Sequence, residues 1–261
     1  MNLTAELKEN FHRDRVLIVI FFSLLSLLSW FAMFLPDVLN PHNTCSLCHV
    51  KSAAAFNWNQ FIMLFVMWSI MMVAMMIPSA LPMILTFAMV NRRRKENGNP
   101  FVPTGLFVLG YLLTWIAFSA VAGGMQWYFH YQTWLSEDMV SRSRWLNAVI
   151  LLLAGIFQFT PLKNNCLNLC RSPMGFIMTS WREGVRGAVI MGLHHGLFCL
   201  GCCWALMLLL FVLGVMNFGW VIVLSVVVLL EKVLPARLQL SRILGMVLIL
   251  WGVVSVFIKF I

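Results

Sequence analysis

Apolar runs long enough to cross a bilayer recur along almost the whole chain, and they limit its fold more than any motif does. A membrane-spanning helix needs about 20 mostly apolar residues. Runs of that kind lie at roughly 16–36, 59–90, 102–129, 145–162, 186–213, 216–234 and 241–260. Charged residues make up 10% of the chain, against about 25% in a soluble domain. The expected fold is all-α: a polytopic transmembrane helical bundle of about seven spans, forming a single integral membrane domain over 1–261. Residues 1–58 hold the first span and a loop, and 59–261 the remaining core.

The connectors differ in basic content. Lys8, Arg13, Arg15, Arg92-Arg93-Arg94-Lys95, Lys163, Arg171, Arg182, Arg186, Lys232, Arg237 and Arg242 fall on one side. Lys51, Arg142, Arg144 and Lys259 fall on the other. Cytoplasmic connectors carry the excess of Lys and Arg, so the N-terminus is expected in the cytoplasm and the C-terminus outside. The expected location is the bacterial inner membrane. The net charge of +9 is accounted for by this asymmetry and implies no nucleic-acid partner. The 92–95 turn reads as an anchor to anionic membrane lipid. Residues 1–15 are polar, and the apolar run after them is too long for a signal-peptide core, so it reads as a retained span.

Within this apolar background, Gly192 to Trp204 stands out. It holds His194, His195, Cys199, Cys202 and Cys203. Ionisable residues are costly at membrane depth and mark functional sites there. On a helix His195, Cys199 and Cys203 recur at i, i+4 and i+8 and share a face, which Cys202 borders. Imidazole with thiolate suits copper(I) or zinc and suits carboxylate-binding metals poorly. Ordinary packing competes with this reading, because free Cys is a common small core residue. The glycines at 192, 196 and 201 are also what close helix packing uses.

Other soft donors flank this segment. The 59–90 run carries Met71, Met72, Met75, Met76 and Met83 around Pro78 and Pro82. Thioethers at this spacing offer copper(I) secondary ligands through Met72, Met75 and Met76, or simply fill the core. The midpoints of this run and of 186–213 fall at similar depth, so contact between the two helices would merge their donors into one site. Cys166 and Cys170 lie in a connector expected to be cytoplasmic. They read as a docking point for an incoming ion or as packing. His42, Cys45, Cys48 and His49 lie in the outer loop. Cys45-Ser46-Leu47-Cys48-His49 matches the C-x-x-C-H haem-attachment pattern, and also fits a disulfide or a surface metal site. Glu231 reads either as a proton-handling carboxylate or as an ion-pair partner of Lys232 or Arg237.

No hydrolase triad, paired carboxylates or phosphate-binding Gly-rich loop occurs, so the chain does not read as an enzyme, and any transport is not driven by ATP through it.

The pieces Ala74-Met75-Met76-Ile77-Pro78, Gly110-Tyr111, Pro161-Leu162-Lys163 with Cys166 and Cys170-Arg171, Trp181-Arg182, His195-Gly196, Cys199 to Trp204, Met216-Asn217 and Glu231-Lys232 follow one another over about 65–250. In order and number they resemble a family of predicted metal-binding integral membrane proteins, catalogued as a domain of unknown function and often labelled copper chaperones. The resemblance implies metal binding. The outer Cys45/Cys48/His49 loop is not part of it.

Three functions remain open at this level. The first is copper trafficking, with a metal ion as cargo and a metalloenzyme or soluble copper carrier as partner. The second is a membrane redox or c-type haem protein. The third is a non-catalytic subunit or assembly factor of a larger membrane complex.

Overall fold

The structure is a computed structural model that describes residues 3–39, 58–98, 100–132, 143–215 and 217–257. These residues are helical, with no strand among them. In chain order the helices are α1 (Leu3–Leu39), α2 (Trp58–Glu96), α3 (Thr104–Tyr131), α4 (Arg144–Phe157), α5 (Pro161–Arg171), α6 (Pro173–Ser180), α7 (Gly184–Leu208), α8 (Leu210–Leu213), α9 (Phe218–Val233) and α10 (Leu240–Phe257). The outer-loop residues His42, Cys45, Cys48 and His49 lie outside the described residues.

Five helical segments are long and apolar enough to cross a membrane: Arg15–Met33, Trp58–Glu96, Thr104–Tyr131, Gly184–Leu213 and Leu240–Phe257. Two of the seven expected spans take another form. The 145–162 run is broken: α4 ends at Phe157, and α5 leaves at an angle of 62°. The break has a local cause. The Thr160 hydroxyl accepts from the Lys163 amide and caps a new helix, and Pro161 follows in the first turn, where its missing N–H costs nothing. The 216–234 run forms α9, of 16 residues, which at 1.5 Å per residue is shorter than the ~30 Å apolar layer.

The outer surface is apolar. Leu27, Phe31, Met246 and Leu250 are each more than half exposed, the reverse of what water selects. The interior holds the polar groups: Gln126, Gln158, Lys163, His195, Glu231 and Lys232 are all buried. Gln126 accepts from the Trp68 indole at 2.6 Å.

Two details of α2 and α7 position the interior. Pro78 cannot donate to the Ala74 carbonyl four residues back. Ser26 of α1 donates to that carbonyl instead, at 2.9 Å, and so ties α1 to α2. The α3–α7 contact is backbone against backbone: a Cβ on Gly192 would lie 2.0 Å from the Phe107 carbonyl oxygen. Only glycine permits that approach, and it draws the Tyr111 side chain of α3 against α7.

Candidate functional site: a buried thiol cluster

On α7, residues at 100° intervals around the axis point in separable directions. Cys202 and Cys203 are side-chain hydrogen-bonding partners of each other. Their thiols donate to the same Cys199 carbonyl, at 3.0 and 2.9 Å. Cys202 meets α5, where its thiol is a hydrogen-bonding partner of the Cys170 thiol. Cys203 is a side-chain hydrogen-bonding partner of Cys199. Cys166 also faces α7, since a Cβ on Gly201 would lie 3.0 Å from its sulfur. The five cysteines among the described residues are free thiols, and all but Cys170 are buried.

Cys166 and Cys170, read from sequence as a docking point or as packing, lie against α7. They pack onto the α7 cysteines, because the 62° bend folds α5 back against that helix.

Two polar side chains frame Cys199. The Tyr111 hydroxyl is 3.2 Å from Cys199 Sγ and 3.3 Å from the Met76 carbonyl oxygen. Lys232 Nζ donates to Cys199 Sγ at 2.9 Å and to Ser79 Oγ at 2.8 Å. Ser79 donates in turn to the Met76 carbonyl at 2.9 Å. The Met-rich part of α2 thus reaches the thiols through Tyr111 of α3 and Lys232 of α9. The Met72, Met75 and Met76 side chains are buried in the core. The atoms that link this part of α2 to the cluster are the Met76 carbonyl and the Ser79 hydroxyl.

His195 is buried next to this cluster, its ring stacked on Tyr111 at 5.5 Å and on Phe107 at 6.1 Å. Its Nδ1 is buried without a hydrogen-bond partner. His194 points the other way and is exposed.

Glu231 pairs with neither Lys232 nor Arg237. Its carboxylate accepts from Lys163 Nζ at 2.7 and 2.8 Å, and Lys163 also donates to Gln158. Arg171 donates from Nε to the Glu231 carbonyl at 2.8 Å. Adjacent helical residues point about 100° apart, so Glu231 faces α5 while Lys232 faces α2 and α7. Lys163 and Lys232, counted at first among the charges of solvated connectors, are both buried.

Among the described residues no three His, Cys, Asp or Glu side chains converge as a chelating group. The thiols of the expected His195/Cys199/Cys202/Cys203 set touch in sequence, Cys199 to Cys203 and Cys203 to Cys202, which meets Cys170, while His195 lies against aromatic rings. The donor set still fits a soft metal ion. It offers paired thiols in an apolar core, with a partnerless imidazole nitrogen close by, and soft thiolates suit copper(I) or zinc. Sequence reasoning does not single out Tyr111, Ser79 or Lys163 as site residues, and it reads Lys232 only as an interfacial charge; Arg171, which it places beside Cys166 and Cys170, donates to the Glu231 carbonyl. A lysine within an apolar run is costly enough to have marked Lys232.

The fold and cluster define a class: an all-helical bundle with an apolar exterior and a thiol-rich, polar interior. A sequence model of the PpoB2 family, described as copper chaperone, matches residues 65–255, and the chain belongs to that family. No curated protein and no solved structure matches it.

Proposed function

We propose that this protein is an integral membrane copper(I)-binding protein that passes copper to a membrane or extracytoplasmic acceptor. The observation that carries this reading is the pairwise contact of buried thiols where α5 packs on α7, Cys170 with Cys202 and Cys199 with Cys203, in a chain that belongs to a copper chaperone family. The apolar exterior supports placement in a membrane, and the bias of Lys and Arg supports a cytoplasmic N-terminus. Copper(I) is the cargo. Cys199 with Cys203 and Cys170 with Cys202 would hold it, with His195 Nδ1 as a further donor. Met72, Met75 and Met76 would give the ion a soft route along α2.

Elemental analysis and an optical spectrum of anaerobically purified protein in mild detergent test the reading. One or more copper(I) per chain, with no visible band, is expected after copper loading. A Soret band, or no copper uptake by fully reduced protein, overturns it.

A further inference from the structure

Lys232 is a buried cation with no carboxylate beside it. Its partners are Cys199 Sγ at 2.9 Å and Ser79 Oγ at 2.8 Å. Glu231, its neighbour in sequence, is committed to Lys163. Among the residues whose side chains are described, Glu231 is also the only buried acid. Taking an ammonium out of water costs several kcal/mol unless negative charge answers it. The ionisable group in direct contact that can supply that charge is the Cys199 thiol.

We propose that Lys232 is the fixed counter-cation of the loaded site and selects a monovalent soft metal over a divalent one. The inference rests on the copper reading above and adds a reason for the ion's charge. Two thiolates around copper(I) leave one net negative charge, and the Lys232 ammonium brings the buried centre to zero. Zinc(II) between the same two thiolates is already neutral, so the ammonium would leave one positive charge stranded in a medium of low dielectric, where such charges are most costly. Thiolate ligands alone do not separate these metals, since both copper(I) and zinc take them. The buried ammonium does.

Two features support a dedicated role over incidental burial. Lys232 reaches the sulfur directly, and its second partner, Ser79, lies next to Pro78 on α2. The ammonium is therefore gripped from both sides at the point where the thiol faces the Met-rich helix. Lys163 and Glu231 neutralise each other about 100° around α9, which leaves Lys232 as the charge without a carboxylate at the thiols.

The test is an anaerobic competition titration of full-length protein in detergent. Silver(I) is the redox-inert monovalent probe and zinc(II) the divalent one, with wild type, Lys232→Met and Lys232→Arg compared. Wild type should prefer silver(I), and a large excess of zinc(II) should fail to displace it. Lys232→Met should lose silver(I) affinity on the order of 100-fold with zinc(II) binding kept or strengthened. Lys232→Arg should keep the wild-type preference. A Lys232→Met variant that loses both metals equally, or neither, contradicts the proposal. So does wild-type protein that lets zinc(II) displace silver(I), a result that needs no variant to fold. Failure of the wild type to take any soft metal would remove the copper reading itself. Unchanged selectivity in a copper-binding variant would remove only the role of Lys232.

Discussion

Lys163 and Glu231, 68 residues apart in the chain, close an ion pair from which water is excluded. The pair joins α5 to α9 and, through Arg171 on the Glu231 carbonyl, holds the bent α5 against the bundle. It therefore keeps Cys166 and Cys170 in place. Replacing such a pair with apolar groups is often tolerated, whereas removing one partner strands the other's charge.

Glu231→Gln should accordingly lower stability by about 3–5 kcal/mol, read as thermal unfolding in detergent. Lys163→Met combined with Glu231→Leu should recover most of that loss. A single variant as stable as wild type would contradict a desolvated pair.

The Ala74 carbonyl supplies a second test. Ser26→Ala should cost about 1–3 kcal/mol, because the carbonyl freed by Pro78 is then buried without a donor. In a Pro78→Ala background the helix N–H returns, and the same Ser26→Ala change should cost much less. Equal costs in both backgrounds would show that Ser26 does not compensate for the proline.

Gly192→Ala places a methyl group 2.0 Å from the Phe107 carbonyl oxygen, so α3 and α7 must separate. A destabilisation of at least about 1–3 kcal/mol is expected. The same opening pulls Tyr111 away from Cys199, so copper affinity should fall as well. Gly105→Ala is the control, since nothing lies within 4 Å of its added Cβ, and alanine favours a helix over glycine. It should be neutral or slightly stabilising.

Tyr111→Phe removes the hydroxyl shared by Cys199 Sγ and the Met76 carbonyl. It should cost about 1 kcal/mol of stability, measured by the same unfolding assay. If Tyr111 also helps hold Cys199 in place for the metal, copper(I) affinity should fall about fivefold. Unchanged affinity would confine Tyr111 to packing.

What could be read from sequence here was whatever hydropathy and spacing along one helix encode. Long apolar runs showed the helices of α2, α3, α7 and α10, because burial in an apolar medium demands such runs of any sequence. The thiols of α7 were visible as ligands of the right softness. Their partners were not, because the contacts that matter cross between helices. The bend at Thr160-Pro161, which brings Cys170 to Cys202, depends on a capping hydroxyl within an otherwise continuous apolar run. Spacing alone put Cys199, Cys202 and Cys203 on nearly one face. The 100° step between Cys202 and Cys203 lets one reach Cys170 of α5 and the other Cys199 while the two still touch. The same step separates Glu231 from Lys232 and was legible in principle. Their different partners, Lys163 and Cys199, were not.

The most direct test of the account is copper(I) stoichiometry in cysteine-pair variants, titrated anaerobically against a chromophoric copper(I) chelator. Cys199→Ser with Cys203→Ser, and Cys170→Ser with Cys202→Ser, should each lower the copper bound per chain, and all four changes together should abolish high-affinity binding in protein that still folds. A folded quadruple variant that holds as much copper as wild type would contradict the claim that the buried α5–α7 thiol cluster is where the metal sits.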